Sequence, residues 1–260
     1  MDKINQPMTF WDHLEALRWT IMRSLIVIVV CMVGLFTFKE FLFDGIVLAP
    51  KNSDFITYRL ICALGTRLGF PQMCPGDFSL DLININLSGQ FFMHMSIAFW
   101  LGFIIAFPYV IYEIWKFIRP ALYEKEQKQT LRLFVWGGIL FFLGVLVSYF
   151  LVFPLTLRFL GAYQVSAVVH NQIALSSYIS TLTILTLCMG IMFEMPIVIY
   201  FLSCLGLVSK AFLRQYRRWA IVIIMILAAI ITPTSDPFTM MVVCAPLFLL
   251  YEVSIRVCKE

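Results

Sequence analysis

Residues 134–153 read "FVWGGILFFLGVLVSYFLVF", twenty positions without a charged side chain. A bilayer's hydrocarbon core is about 30 Å thick, and a helix crosses it in roughly 20 residues at 1.5 Å each. The run therefore predicts a transmembrane helix. It has company: 61% of the 260 residues are hydrophobic, 13% are charged, and the mean hydropathy is +0.90. That is outside the range of soluble globular chains. Apolar runs predict six spans near 20–38, 91–115, 132–153, 178–204, 217–231 and 238–255, all in one membrane domain over 1–260. The expected class is an all-α membrane protein. Ser24 to Phe38 begins like a secretory signal, but no small-residue cleavage site follows, so it is read as a retained span.

Lys and Arg set the orientation. With the N-terminus inside, fourteen of the 19 fall on inner segments and five on outer ones. An excess of inner Lys and Arg predicts N-in/C-in, with both termini cytoplasmic. The net charge of +4 is thus a topology signal. No basic patch with interleaved aromatics suggests nucleic acid. The fifth span, about 15 residues between Arg218 and the turn "TPTSDP", requires a locally thinned bilayer or supporting neighbours.

Two outer loops, 39–90 and 154–177, carry most of the extramembrane mass, and the first is expected to form a small periplasmic cap. Five of the seven cysteines lie in or beside spans, where a thiol is a small packing group. Cys62 and Cys74 instead share the outer loop, which faces an oxidising compartment in a bacterium. A disulfide between them is expected, worth on the order of 3 kcal/mol.

Signatures of catalysis are missing from the sequence. There is no Walker A loop, H-E-x-x-H, C-x-x-C or G-x-S-x-G, and His13, His94 and His170 are too scattered for a metal site. No enzyme activity, metal or cofactor is expected. "FPYVIY" (107–112) and "MPIVIY" (195–200) echo each other, but six residues from so small an alphabet recur by chance. Pro108, Pro196 and Pro246 are expected to bend their helices.

Four motifs remain: "FWDHLEALR" (10–18), "FIRPALYEKE" (117–126), "FEMPIVIYFLSCLGLVS" (193–209) and "ITPTSDPFTM" (231–240). In order and spacing they resemble the TatC family, the multi-spanning core of the twin-arginine protein translocase, over essentially the whole chain. The resemblance implies a curved, glove-like bundle of six helices with short fifth and sixth spans. It also implies a receptor for signal peptides with consecutive arginines, which works with single-span partners of the TatA/TatB type. Such a receptor passes folded proteins across the bacterial inner membrane on the proton-motive force. Besides these partners and the lipid bilayer, self-association is compatible with the resemblance.

A receptor for two guanidinium groups needs cytoplasmic carboxylates, because Arg pairs with them bidentately. Asp12, Glu15, Glu113, Glu124, Glu126 and Glu252 are the candidates. The family's loop glutamate matches Glu126, with Glu124 two positions away. The family's other glutamate stands immediately before "LR", where this chain has Ala16. Glu15 sits one position earlier, a rotation of about 100° on a helix. Either Glu15 or Asp12 replaces it, or recognition rests on Glu126. His13, Leu17 and Arg18 match the family, and by themselves read as an amphipathic helix on the membrane surface.

In the last motif Thr232 and Asp236 match, but Met240 stands where the family often has Gln. Partner docking there would rest on Thr239, Thr232 and packing. Locally, Asp236 with Pro237 reads as a helix N-cap. Glu194 lies mid-span beside Pro196 and matches the family's intramembrane glutamate, whose ionised form would cost on the order of 3 kcal/mol at a span centre. It is expected to contact a partner or line a polar cavity. An intramembrane acid would also suit a proton-coupled small-molecule transporter, the alternative reading, which requires a polar midplane pocket.

Overall fold

The structure, a computed structural model, describes residues 10–67, 80–119, 124–164, 166, 171–204, 206–232 and 236–258. Its helices are α1 (Phe10–Thr37), α2 (Ile56–Arg67), α3 (Gly89–Ile118), α4 (Glu124–Val147), α5 (Phe153–Ala162), α6 (Leu175–Met192), α7 (Met195–Cys204), α8 (Lys210–Gln215), α9 (Arg217–Ile231) and α10 (Pro237–Val257). Two-residue strands β1 (Leu82–Ile83) and β2 (Ile173–Ala174) pair in parallel, Leu82 opposite Ile173.

Among the described residues five helical stretches are long and apolar enough to cross a membrane: Trp11–Thr37, Gly89–Ile118, Leu131–Ala162, Leu175–Cys204 and Pro237–Val257. The expected fifth crossing is α9, whose 15 residues span only about 22 Å against about 30 Å of hydrocarbon. The expectation of a short sixth is corrected: α10 has 21 residues, about 32 Å. It starts one residue earlier because Asp236 caps it, and ends later because its last turn continues through Arg256. The N-terminal motif likewise forms no separate surface helix. It is the first part of α1, which runs unbroken for 28 residues.

The chain divides into two compact units, residues 1–37 with 98–138 and residues 38–97 with 139–260. In the first, α1 runs antiparallel to the adjoining half of α3. A Cβ on Gly102 would stand 2.9 Å from the backbone nitrogen of Met32, so the two backbones approach as only glycine permits. Further along, Arg23 faces Glu113 at 3.8 Å, and His13 lies against Phe117 with ring centroids 4.4 Å apart. Among the described residues, 6% of the most apolar window of α1 is buried.

In the second unit the late part of α4 packs on α6 through reciprocal glycines. A Cβ on Gly144 would lie 2.6 Å from the Met189 carbonyl, and one on Gly190 2.8 Å from the Phe141 ring. Beyond α4, a π-helical turn (Ser148–Val152) carries the helix into α5 at Pro154. Proline has no N–H, so the Phe150 carbonyl four residues back is left without its helical donor. The Thr57 hydroxyl donates to it instead. Three tyrosines tie the segment around residues 46–58 down in the same way. Tyr149 donates to the Ile46 carbonyl at 2.7 Å, Tyr178 to Val47 at 2.7 Å, and Tyr58 to Pro50 and Pro154 at 3.2 Å each. Burial pushes the Tyr58 hydroxyl up to about 12, with Arg158 opposing the shift.

Candidate functional site

The residues singled out in the sequence fall into two groups. The first lies in the first unit, around the start of α1 and the end of α3. Glu15 and Arg18 pair at 3.7 Å across one turn of α1, with side chains 64% and 68% exposed. Arg18 also lies over the Trp19 ring at 5.7 Å, and Leu17 is exposed. An exposed pair of this kind is worth about 0–1 kcal/mol. Glu15 is thus a carboxylate within reach of solvent.

Glu113 is its opposite. Its side chain is 4% exposed, faces Arg23 at 3.8 Å, and accepts from the Tyr109 hydroxyl at 3.0 Å through Oε1. Its Oε2 is buried and makes no hydrogen bond among the described residues. Glu252, in the second unit, pairs with Arg217 at 2.8 Å, joining the first turn of α9 to α10. These two acids hold helices together, and only Glu15 among the three presents a loosely held carboxylate. Glu124 and Glu126 belong by backbone to the opening of α4, in the same unit as Glu15; their side chains lie outside the described set. The Arg23 contact was not anticipated. The i,i+4 spacing of Tyr109 and Glu113 in an apolar run was the available signal.

The second group lies in the second unit. The expected fourth span is broken: α6 ends at Met192, Phe193 and Glu194 form a turn, and α7 resumes at Met195. Glu194 N–H donates to Ile191 O at 3.0 Å, a tightened bond, and Pro196 offers the Met192 carbonyl no donor. The side chain of Glu194 is half-buried, and its Oε1 is fully buried without a hydrogen bond among the described residues. A carboxyl at a helix break therefore keeps an unused oxygen inside an apolar run.

At the α9–α10 turn, Asp236 caps α10 as read, accepting from Thr239 N–H at 2.7 Å. Thr232 ends α9 and turns its hydroxyl back to Ala228 O at 3.0 Å. Both threonines are buried, at 2% for Thr232 and 0% for Thr239, whose hydroxyl has no partner among the described residues. Met240 is half-buried. Cavities of about 400 and 510 Å³ lie around α5, and Glu194 is not among their lining residues. Cys62 is disulfide-bonded; Cys74 lies outside the described residues. Among the described residues no group of three or more His, Cys, Asp or Glu could hold a metal.

Comparison with known proteins bears on both groups. Residues 12–246 match the family model of the Sec-independent protein translocase protein (TatC). A Sec-independent protein translocase protein TatC from Blattabacterium sp. subsp. Periplaneta americana is 40% identical over 99% of this chain and 97% of its own. One from Deinococcus radiodurans is 35% identical over 94% of this chain and 83% of its own. Among solved structures, a crystal structure of the twin-arginine translocase receptor TatC in DDM superposes with a TM-score of 0.75 at 32% identity, covering 95% of this chain and all of that one.

Proposed function

Since the chain belongs to the TatC family of Sec-independent protein translocases, we propose that it is the signal-peptide receptor and core of a twin-arginine translocase. Signal peptides with paired arginines bind at the cytoplasmic face, and TatA/TatB-type single-span proteins then complete a path for folded passengers driven by the proton-motive force. The chain crosses the bacterial inner membrane six times, N-in/C-in, with α9 as the short fifth crossing.

The observation that carries this reading is the exposed Glu15–Arg18 pair on α1, in the same unit as the helix bearing Glu126. A signal guanidinium exchanges with Arg18 on Glu15 and a second meets Glu126. His13, Leu17 and Glu124 border that contact. Glu194, Pro196, Thr232, Asp236, Thr239 and Met240 form the intramembrane contact for single-span partners, and Cys62 pairs with Cys74 to brace the periplasmic cap. Two purified peptides, one with paired arginines and one with both replaced by lysine, test the reading. The arginine peptide is expected to bind and the lysine peptide to bind far more weakly; equal binding would reject it. Glu194→Ala is expected to leave that binding intact and to impair transport.

A further inference from the structure

A cavity of about 310 Å³ in the second unit is lined by Lys39, Gln90 and His94 together with Phe43 and Phe91. Two leucines, Leu48 and Leu175, complete its walls. We propose that this cavity binds the headgroup of an anionic membrane phospholipid. The proposal rests on the membrane-spanning reading of the helices and is independent of how signal peptides are recognised.

Position is the first reason. Lys39 follows the end of α1 by two residues, Gln90 is the second residue of α3, and Leu175 is the first of α6. Two membrane-crossing stretches, those of α3 and α6, thus begin at this cavity, and the ends of such stretches lie at the level of the lipid headgroups. Charge is the second. Lys39 is a cation, Gln90 and His94 offer N–H donors, and no carboxylate is among the lining residues. The donors converge from different elements in an otherwise apolar wall, the usual form of a small-ligand site.

Burial orders the groups within the cavity. His94 is 8% exposed, while Lys39, Gln90 and Phe91 are exposed. Imidazole therefore forms the floor and the ammonium and amide the rim. The Phe43 ring meets the imidazole edge-on at 5.4 Å and fixes its plane. A volume near 310 Å³ is at the lower end for ligand pockets, suited to a phosphate and its glycerol, with the acyl chains outside along Phe91. The complementary ligand is a lipid with net negative charge, such as phosphatidylglycerol.

The full chain, purified in mild detergent, is titrated with phosphatidylglycerol, phosphatidylcholine or inorganic phosphate, and bound adducts are counted by native mass spectrometry. Phosphatidylglycerol is expected to be retained and the other two to bind much more weakly. Lys39→Gln is expected to weaken phosphatidylglycerol by about fivefold, the effect of one interfacial cation. His94→Gln should weaken it further, and Lys39→Arg should preserve it. Lys39 is exposed, so its substitution leaves the fold in place, and binding of the paired-arginine peptide should not change. Equal retention by parent and Lys39→Gln would overturn the proposal. So would phosphatidylcholine or inorganic phosphate binding as tightly as phosphatidylglycerol.

Discussion

Replacing Arg23 by Gln tests whether α1 is held to α3 by charge. Arg23 Nη1 stands 3.8 Å from Glu113 Oε2, with side-chain exposures of 48% and 4%. At that separation and an effective dielectric near 20 the Coulomb attraction is about 4 kcal/mol. Arg23 is half in solvent, which screens the pair to about 2 kcal/mol. Arg23→Gln also strands a buried carboxylate, so it should destabilise by about 2–3 kcal/mol. Glu113→Gln removes the charge but leaves Tyr109 a partner for its hydroxyl, and should cost about 1 kcal/mol. The double variant should be no worse than Arg23→Gln alone, because no unpaired buried charge remains. Thermal unfolding of all four proteins in one detergent reads the coupling, and peptide binding shows whether the start of α1 has shifted. Additive losses, with coupling below about 0.5 kcal/mol, would show that the pair does not join the helices.

Further outcomes follow from other contacts. Gly144→Ala, with its Cβ forced to 2.6 Å from the Met189 carbonyl, should lower stability by about 1–3 kcal/mol in thermal unfolding. Gly138→Ala, inside α4 with nothing within 4 Å, should be neutral or stabilise by up to about 1 kcal/mol. Asp236→Ala should cost about 1 kcal/mol by removing the cap of α10, read in the same assay; Asp236→Asn should restore most of it. The tether made by Tyr58 should depend on pH. Its hydroxyl is raised from 10.0 to about 12, so its contribution is fully present below pH 10 and is lost as pH rises through about 12. Tyr58→Phe should make that alkaline loss smaller, and an unchanged loss would assign it to other groups.

Helical class, the apolar spans and the capping role of Asp236 were legible because each depends on local chemistry. Chain length per crossing follows from rise per residue, and an Asp before Pro at a helix start has a local hydrogen bond to make. The break at Glu194 was only half legible. Pro196 announced a bend, yet whether the backbone merely curves or opens into a turn depends on what packs against α6, where Phe141 and Gly144 press on Gly190, Met189 and Phe193. The third stretch, expected over 132–153, instead runs from Leu131 to Ala162, past Pro154. The Thr57 hydroxyl, 93 positions away from Phe150, supplies the missing hydrogen bond and lets the helix continue through a π-helical turn.

The candidate site divides along the same line. Which residues carry charge, and on which helix they ride, is set by order along the chain: Glu15 on α1, Glu113 on α3, Glu126 on α4. Sequence by itself therefore determined a multi-span membrane protein, its family motifs and a short set of acids. It did not rank those acids, because a carboxylate's availability depends on what faces it from another helix. Only the tertiary structure decided that Arg23 and Arg217 occupy Glu113 and Glu252 while Glu15 keeps an exposed partner one turn away. The reason is physical: burial and ion pairing are properties of the packed neighbourhood, and residues 90 positions apart become neighbours only when α1 and α3 close on each other at Gly102.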